Sequence, residues 1–297
     1  MSATLVVLLR LGFALAYVNG ANDVSKGVAT LVGSGVSDYR RAIAWGTLWT
    51  AGGALLGAWL GRAMLAAFGN GLLAGGTEPT LAAAMATLFG AAAWVLVATR
   101  TGLPVSTTHA IVGSLAVVAA VAYGLEGVRW SALGAKVLLP LLLTPAASLL
   151  LVTLLVRRPR GRSAARPPAD CLCAELVPMA SPGGSPGTAV LTGLSQLRLV
   201  AGSSATCAME QPRALHLTLD HLHWLSSGAT SLARGMNDAP KIAALVLSAA
   251  ALGSKPAVST PALFLVITTG MALGSFVAGR RVTRVLAEGV TPMNHRE

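Results

Sequence analysis

Two seven-residue stretches concentrate polar chemistry in an otherwise apolar chain: GANDVSK, residues 20–26, and GMNDAPK, residues 235–241. They share the pattern G-x-N-D-x-x-K, which pairs Asn22, Asp23 and Lys26 with Asn237, Asp238 and Lys241. An amide next to a carboxylate supplies oxygen ligands for a cation, so these four Asn and Asp residues are the candidate cation ligands. An ionisable residue inside a membrane span is functional by default. Asp23 and Asp238 also suit the caps of half-helices. Lys26 and Lys241 have three readings that stay open: approaching an anion, neutralising the aspartates, or snorkelling to the interface.

A second polar cluster is TGLPVSTTHAIVGS, residues 101–114. Gly102 ends one apolar stretch and Pro104 suits the first turn of the next. Ser106, Thr107 and Thr108 then place hydroxyls and unpaired backbone N–H groups at a helix start. Converging donors and the helix dipole together bind oxyanions. His109 follows, able to donate to an anion, to carry a proton or to bond a neighbour.

The elements that must position these groups are membrane helices. Of 297 residues, 54% are hydrophobic and 11% charged, with a mean hydropathy of +0.68. A soluble domain carries about 25% charged residues. The net charge of +11 lies in arginines between apolar runs, which reads as a topology signal and not as a nucleic-acid surface. The fold class expected is all-α: a polytopic membrane protein in contact with the lipid bilayer, with about seven spans near 3–36, 42–66, 81–99, 104–123, 132–156, 218–252 and 261–279. The first and sixth are too long for one straight helix, and each is expected to break at its G-x-N-D motif, where Gly20 and Gly235 permit it. Such a break is tolerated only where it lines a cavity or is buried in protein.

Arg40 and Arg41, Arg100, Arg157 to Arg166, and Arg280 to Arg284 follow alternate spans. The positive-inside rule puts the N-terminus outside and these clusters in the cytoplasm, with localisation in the plasma (inner) membrane expected. Residues 1–18 lack a basic start and contain Arg10, which disfavours a cleaved signal peptide. Residues 1–156 form a first membrane repeat, 157–217 a Pro-, Gly-, Ser- and Arg-rich cytoplasmic linker, partly disordered, and 218–297 a second repeat. Cys171, Cys173 and Cys207 lie in that linker, too few and too irregular for a disulfide framework or, with His221 or His223, for a zinc signature. No metal site and no cofactor are expected.

Under this topology the first motif enters from outside and the second from the cytoplasm. The copies therefore run in opposite directions, as in the inverted repeats of secondary transporters.

At these residues the chain resembles the inorganic phosphate transporter (PiT) family, whose halves each carry a G-x-N-D and a G-x-P-V-S-T-T-H motif. The matches are NGANDVSKGVATLVGSG at 19–35, GLPVSTTHAIVG at 102–113 and ARGMNDAPKIAAL at 233–245. The resemblance implies transport of inorganic phosphate by symport with Na+ or H+, with sulfate permeases among the relatives. It implies that Asn22, Asp23, Asn237 and Asp238 help bind cation and anion, while Ser106, Thr107 and Thr108 hold phosphate oxygens. Spacing transferred from the first half puts a second S-T-T-H beyond Glu297, so the second repeat is expected to be truncated. A fragment of a longer protein, a short chain acting with a second subunit or as a homodimer, and a short chain with no activity all stay open.

Cations at the aspartates would lower the cost of burying a divalent anion. Phosphate carries a proton to donate to a carboxylate, and sulfate does not. An intramembrane aspartyl hydrolase using Asp23 and Asp238 is the alternative from another class, but the adjacent Asn and Lys suit ion ligation better than a shared proton. A serine hydrolase on Ser106 and His109 lacks a third member, and a passive anion channel stays open.

Overall fold

Apolar side chains fill the core and also cover the outside, while several polar ones are buried. Leu48, Trp59, Phe89, Trp94, Val121 and Leu142 are exposed, whereas Asn19, Asn22, Ser25 and Ser275 are fully buried. That arrangement suits a hydrocarbon solvent, in which apolar surface costs nothing and small or polar residues hold helices together.

The computed structural model describes residues 3–69, 73–74, 79–156, 171–180, 191–202, 215–252, 259–290 and 293. Its elements are α1 (Ala3–Gly33), α2 (Tyr39–Leu60), α3 (Arg62–Gly69), α4 (Leu81–Thr101), α5 (Thr107–Tyr123), α6 (Trp130–Leu133), α7 (Leu139–Val156), β1 (Cys171–Ala180), β2 (Leu191–Gly202), β3 (Leu215–Thr218), α8 (Leu219–Leu252), α9 (Thr260–Ala278) and α10 (Arg280–Glu288). Helix covers each of the seven stretches expected to span. Among the described residues α1, α4 and α9 are long and apolar enough to cross a membrane by length and composition. The tract of α5 is shorter, and α8 is diluted by Arg234, Asn237, Asp238 and Lys241.

The chain divides into two units, residues 1–152 with 226–297, and residues 153–225. The second contains an antiparallel sheet in the order β2-β1-β3, with Cys171 opposite both Gly202 and Thr218 and Cys173 opposite His216. Within 157–217, where the sequence suggests a linker, the described residues form strands. The apolar residues of β2, as in LTGLSQLRLV, lie between Pro- and Gly-rich flanks that masked them in the sequence. Cys207 lies outside the described residues.

In the first unit α1 and α8 are antiparallel. Gly12 packs on Val246, and Gly27 on Ser231, while Ser227 donates to the Gly27 carbonyl at 2.7 Å. The flanking helices cross over between repeats. A Cβ at Gly20 would run into the carbonyl oxygen of Met271 in α9, and one at Gly274 into that of Tyr17 in α1. In the other repeat, a Cβ at Gly235 would meet the Thr50 carbonyl in α2, and one at Gly53 that of Leu232 in α8. The two sets superpose: Tyr17–Gly20 corresponds to Leu232–Gly235, and Thr50–Gly53 to Met271–Gly274. Each repeat thus lends its second helix to the other, as an inverted repeat requires.

The expected break at the motifs does not occur. Helix runs unbroken from Ala3 to Gly33 and from Leu219 to Leu252, Pro240 included. Gly20 and Gly235 serve close backbone approach instead of a hinge. The interruption falls between α4 and α5, residues 102–106, where Gly102 takes the left-handed conformation at φ 82° and caps α4. Pro104 then holds Leu103 away from helix. A second irregularity is the π-helical turn Gly134–Leu138 leading into α7.

Candidate functional site

The α4–α5 break is sealed by the first motif. Leu103 and Val105 carry backbone groups that no helix satisfies, and such groups take partners from elsewhere in the protein. The Asn22 amide donates to the Leu103 carbonyl at 2.9 Å and to Thr99 Oγ1 at 3.1 Å, and its Oδ1 accepts from the Val105 N–H at 3.0 Å. Lys26 Nζ donates to the Val105 carbonyl at 2.6 Å. Asn22 is therefore a clamp on the break as well as the expected cation ligand.

Beyond the break, Ser106 caps α5, its hydroxyl accepting from the His109 N–H at 3.3 Å. Thr107 and Thr108 occupy the first turn and face the motifs. Thr107 Oγ1 accepts from the Asn19 amide at 2.9 Å, and Thr108 Oγ1 from Lys241 Nζ at 2.7 Å. His109 points elsewhere: it is exposed and lines a groove with Trp94 and Val117.

The two aspartates meet between α1 and α8, both buried. Asp23 pairs with Lys26 and with Arg234, which also donates to the Asp23 backbone carbonyl. Asp238 pairs with Lys241 at 3.3 Å, with Arg234 at 3.8 Å, and accepts from the exposed Asn237 at 3.3 Å. Asn19 Nδ2 lies 3.2 Å from Asp23 Oδ2 and 3.2 Å from Asp238 Oδ2. With both acids ionised, Asp23, Asp238, Lys26, Lys241 and Arg234 carry one net positive charge beside the α5 N-terminus. Between the carboxylates lies a cavity of ≈ 10 Å³, measured as the space open to the centre of a water-sized sphere. That is about room for one water. Asn19, Thr50, Arg234 and Met271 line it with the two acids.

The structure therefore brings together Asp23, Asp238, Lys26, Lys241, Thr107 and Thr108, keeps Asn22, Asn237 and Ser106 at their edge, and sets His109 apart. Two central residues had no role in the sequence reading. Arg234 sits four residues before Asp238 inside an expected span, where a charge alone was a signal. Asn19 sits four residues before Asp23, on the same helical face.

Residues 19–297 match the phosphate transporter family. Over 136 residues the chain is 40% identical to a Mus musculus protein named sodium-dependent phosphate transporter 1, covering 42% of this chain and 19% of that one. It is 27% identical over 292 residues to a Mycobacterium tuberculosis protein named probable low-affinity inorganic phosphate transporter, covering 96% and 58%. Across eight curated relatives, these two among them, the chain spans between 19% and 58% of their length. A solved structure titled the sodium-dependent phosphate transporter shares the fold, with a TM-score of 0.63 at 19% identity, over 99% of this chain and 80% of that one.

Proposed function

The chain belongs to the phosphate transporter family, and from that membership we propose that it carries inorganic phosphate across a membrane by symport with Na+ or H+. The observation that carries the reading is the meeting of Asp23 and Asp238 between antiparallel α1 and α8, beside the N-terminus of α5. Phosphate binds where Thr107, Thr108 and the helix start supply donors and where the cluster's excess positive charge offsets the anion. Phosphate keeps an O–H to donate to a carboxylate, which favours it over sulfate, the alternative substrate. Three cations around two acids suit ionic pairing, not the shared proton of an aspartyl hydrolase. The expected setting is the plasma (inner) membrane, alone or with a second subunit or copy.

Uptake of radiolabelled phosphate and sulfate into vesicles holding this chain, under imposed sodium or proton gradients, tests the reading. Gradient-driven phosphate accumulation is expected. Accumulation without any gradient dependence would make it a channel, and sulfate in place of phosphate would make it a sulfate permease.

A further inference from the structure

We propose that Lys26 and Lys241 are resident cations that fill the position a sodium ion would take at each aspartate, so that this chain does not bind sodium. The inference rests on the transport reading and narrows its coupling ion to the proton.

A sodium ion needs several oxygen lone pairs converging on one point, with no N–H between. All four carboxylate oxygens here already face donors. Asp23 Oδ1 takes Lys26, and its Oδ2 takes Arg234 and Asn19 at 3.2 Å. Asp238 Oδ1 takes Lys241 and Asn237, each at 3.3 Å, and its Oδ2 takes Asn19 at 3.2 Å with Arg234 3.8 Å away. A sodium ion at any of them must displace an ammonium, a guanidinium or an amide, and would then stand against the charge it displaced.

The lysines are built in. Both follow their aspartate by three residues, on the same face of a helix. Each is held by a second acceptor on the α4–α5 side: Lys26 by the Val105 carbonyl at 2.6 Å, Lys241 by Thr108 Oγ1 at 2.7 Å. Snorkelling would send the ammonium groups outward, yet both point inward. The Lys241 side chain is only 6% exposed, and Lys26, at 31%, still makes both inward bonds. A tethered ammonium competes as an intramolecular ligand at high effective concentration, against a sodium ion that must arrive from solution.

Binding of radioactive sodium to the purified full chain in lipid nanodiscs tests this without requiring transport. The unsubstituted protein is expected to show no saturable sodium binding across the millimolar range, and the K26N/K241N variant is expected to gain it. Saturable binding to the unsubstituted protein overturns the proposal. So does its absence in a K26N/K241N variant that remains monodisperse. If the double variant fails to fold, K26N, whose side chain is partly exposed, takes its place. Phosphate uptake measured alongside separates the two readings. Uptake that requires sodium sinks the lysine assignment and keeps transport; absent uptake with no sodium binding sinks transport and leaves the lysine assignment standing.

Discussion

Asn19 and Arg234 occupy equivalent places in the two repeats, four residues before Asp23 and Asp238, and each bonds the aspartate of its own helix and that of the other. One is a neutral donor and the other a cation, so the pair is symmetric in geometry and asymmetric in charge.

Removing the cationic member is the sharper change. Arg234→Gln leaves Asp23 and Asp238 facing each other with Lys26 and Lys241 alone. Breaking a buried charge network in this way costs about 3–5 kcal/mol. Arg234→Lys keeps the charge but loses the fork that reaches the Asp23 carbonyl and carboxylate together, so it is expected to rescue only part. Thermal unfolding in micelles, followed by size-exclusion chromatography, measures both. An Arg234→Gln melting point equal to that of the unsubstituted protein would show that the network does not depend on it.

Asn22→Ala should loosen the α4–α5 break. It strands the part-buried Leu103 carbonyl and Val105 N–H; an unsatisfied group costs about 1–3 kcal/mol when fully buried, and less here. Displacement of the α5 N-terminus is expected to raise the KM for phosphate more than it lowers the maximal rate. Asn22→Asp restores one acceptor and only part of the effect. Initial-rate uptake across phosphate concentrations is the measurement.

The glycine contacts predict a matched pair of effects. Gly20→Ala and Gly235→Ala each push a methyl into a carbonyl oxygen of the neighbouring helix. Overpacking of this kind costs about 1–3 kcal/mol. The two losses should be similar, because the contacts are repeat-equivalent. Gly52→Ala, with open space around its position, serves as the control and should be neutral or slightly stabilising.

Asp38 gives a pH dependence outside the spans. It caps α2 by accepting from the Arg41 N–H at 3.0 Å, and that bond, with the Arg41 guanidinium, holds its carboxyl below the ordinary carboxylate value. A depressed folded-state value stabilises above the ordinary pKa and is lost as pH falls through the depressed one. An Asp38→Ala variant is therefore expected to unfold more readily at neutral pH and to converge with the unsubstituted protein in acid. Melting curves from neutral to acid pH would reveal a constant gap if the cap did not titrate.

The helices were legible because apolar length is a strong signal: expected spans at 81–99 and 261–279 lie within two residues of α4 and α9 at each end. The paired motifs were legible because charge in an apolar run has few innocent explanations. The site of the interruption was misplaced, because glycine beside a polar residue reads equally as a hinge and as a gap for a neighbour's backbone. Only the partner helix distinguishes them, and Met271 and Thr50 lie far off in sequence. Arg234 was overlooked for a related reason: it stands outside the repeated pattern, and Asn19, its counterpart, is a different residue type. The strands of β1 and β2 were hidden by their low-complexity flanks.

The carbonyl-to-glycine contacts of α1 with α9 and of α8 with α2 leave no layer of side chains between those backbones on which one could slide past the other. Each such couple forms one stiff, closely packed pair, carrying one aspartate apiece. Among the described residues, the non-helical stretch that the motif itself holds is the short extended link after Gly102, tied down by Asn22 and Lys26. In the proposed transport cycle, opening toward either side begins by letting go of that knot.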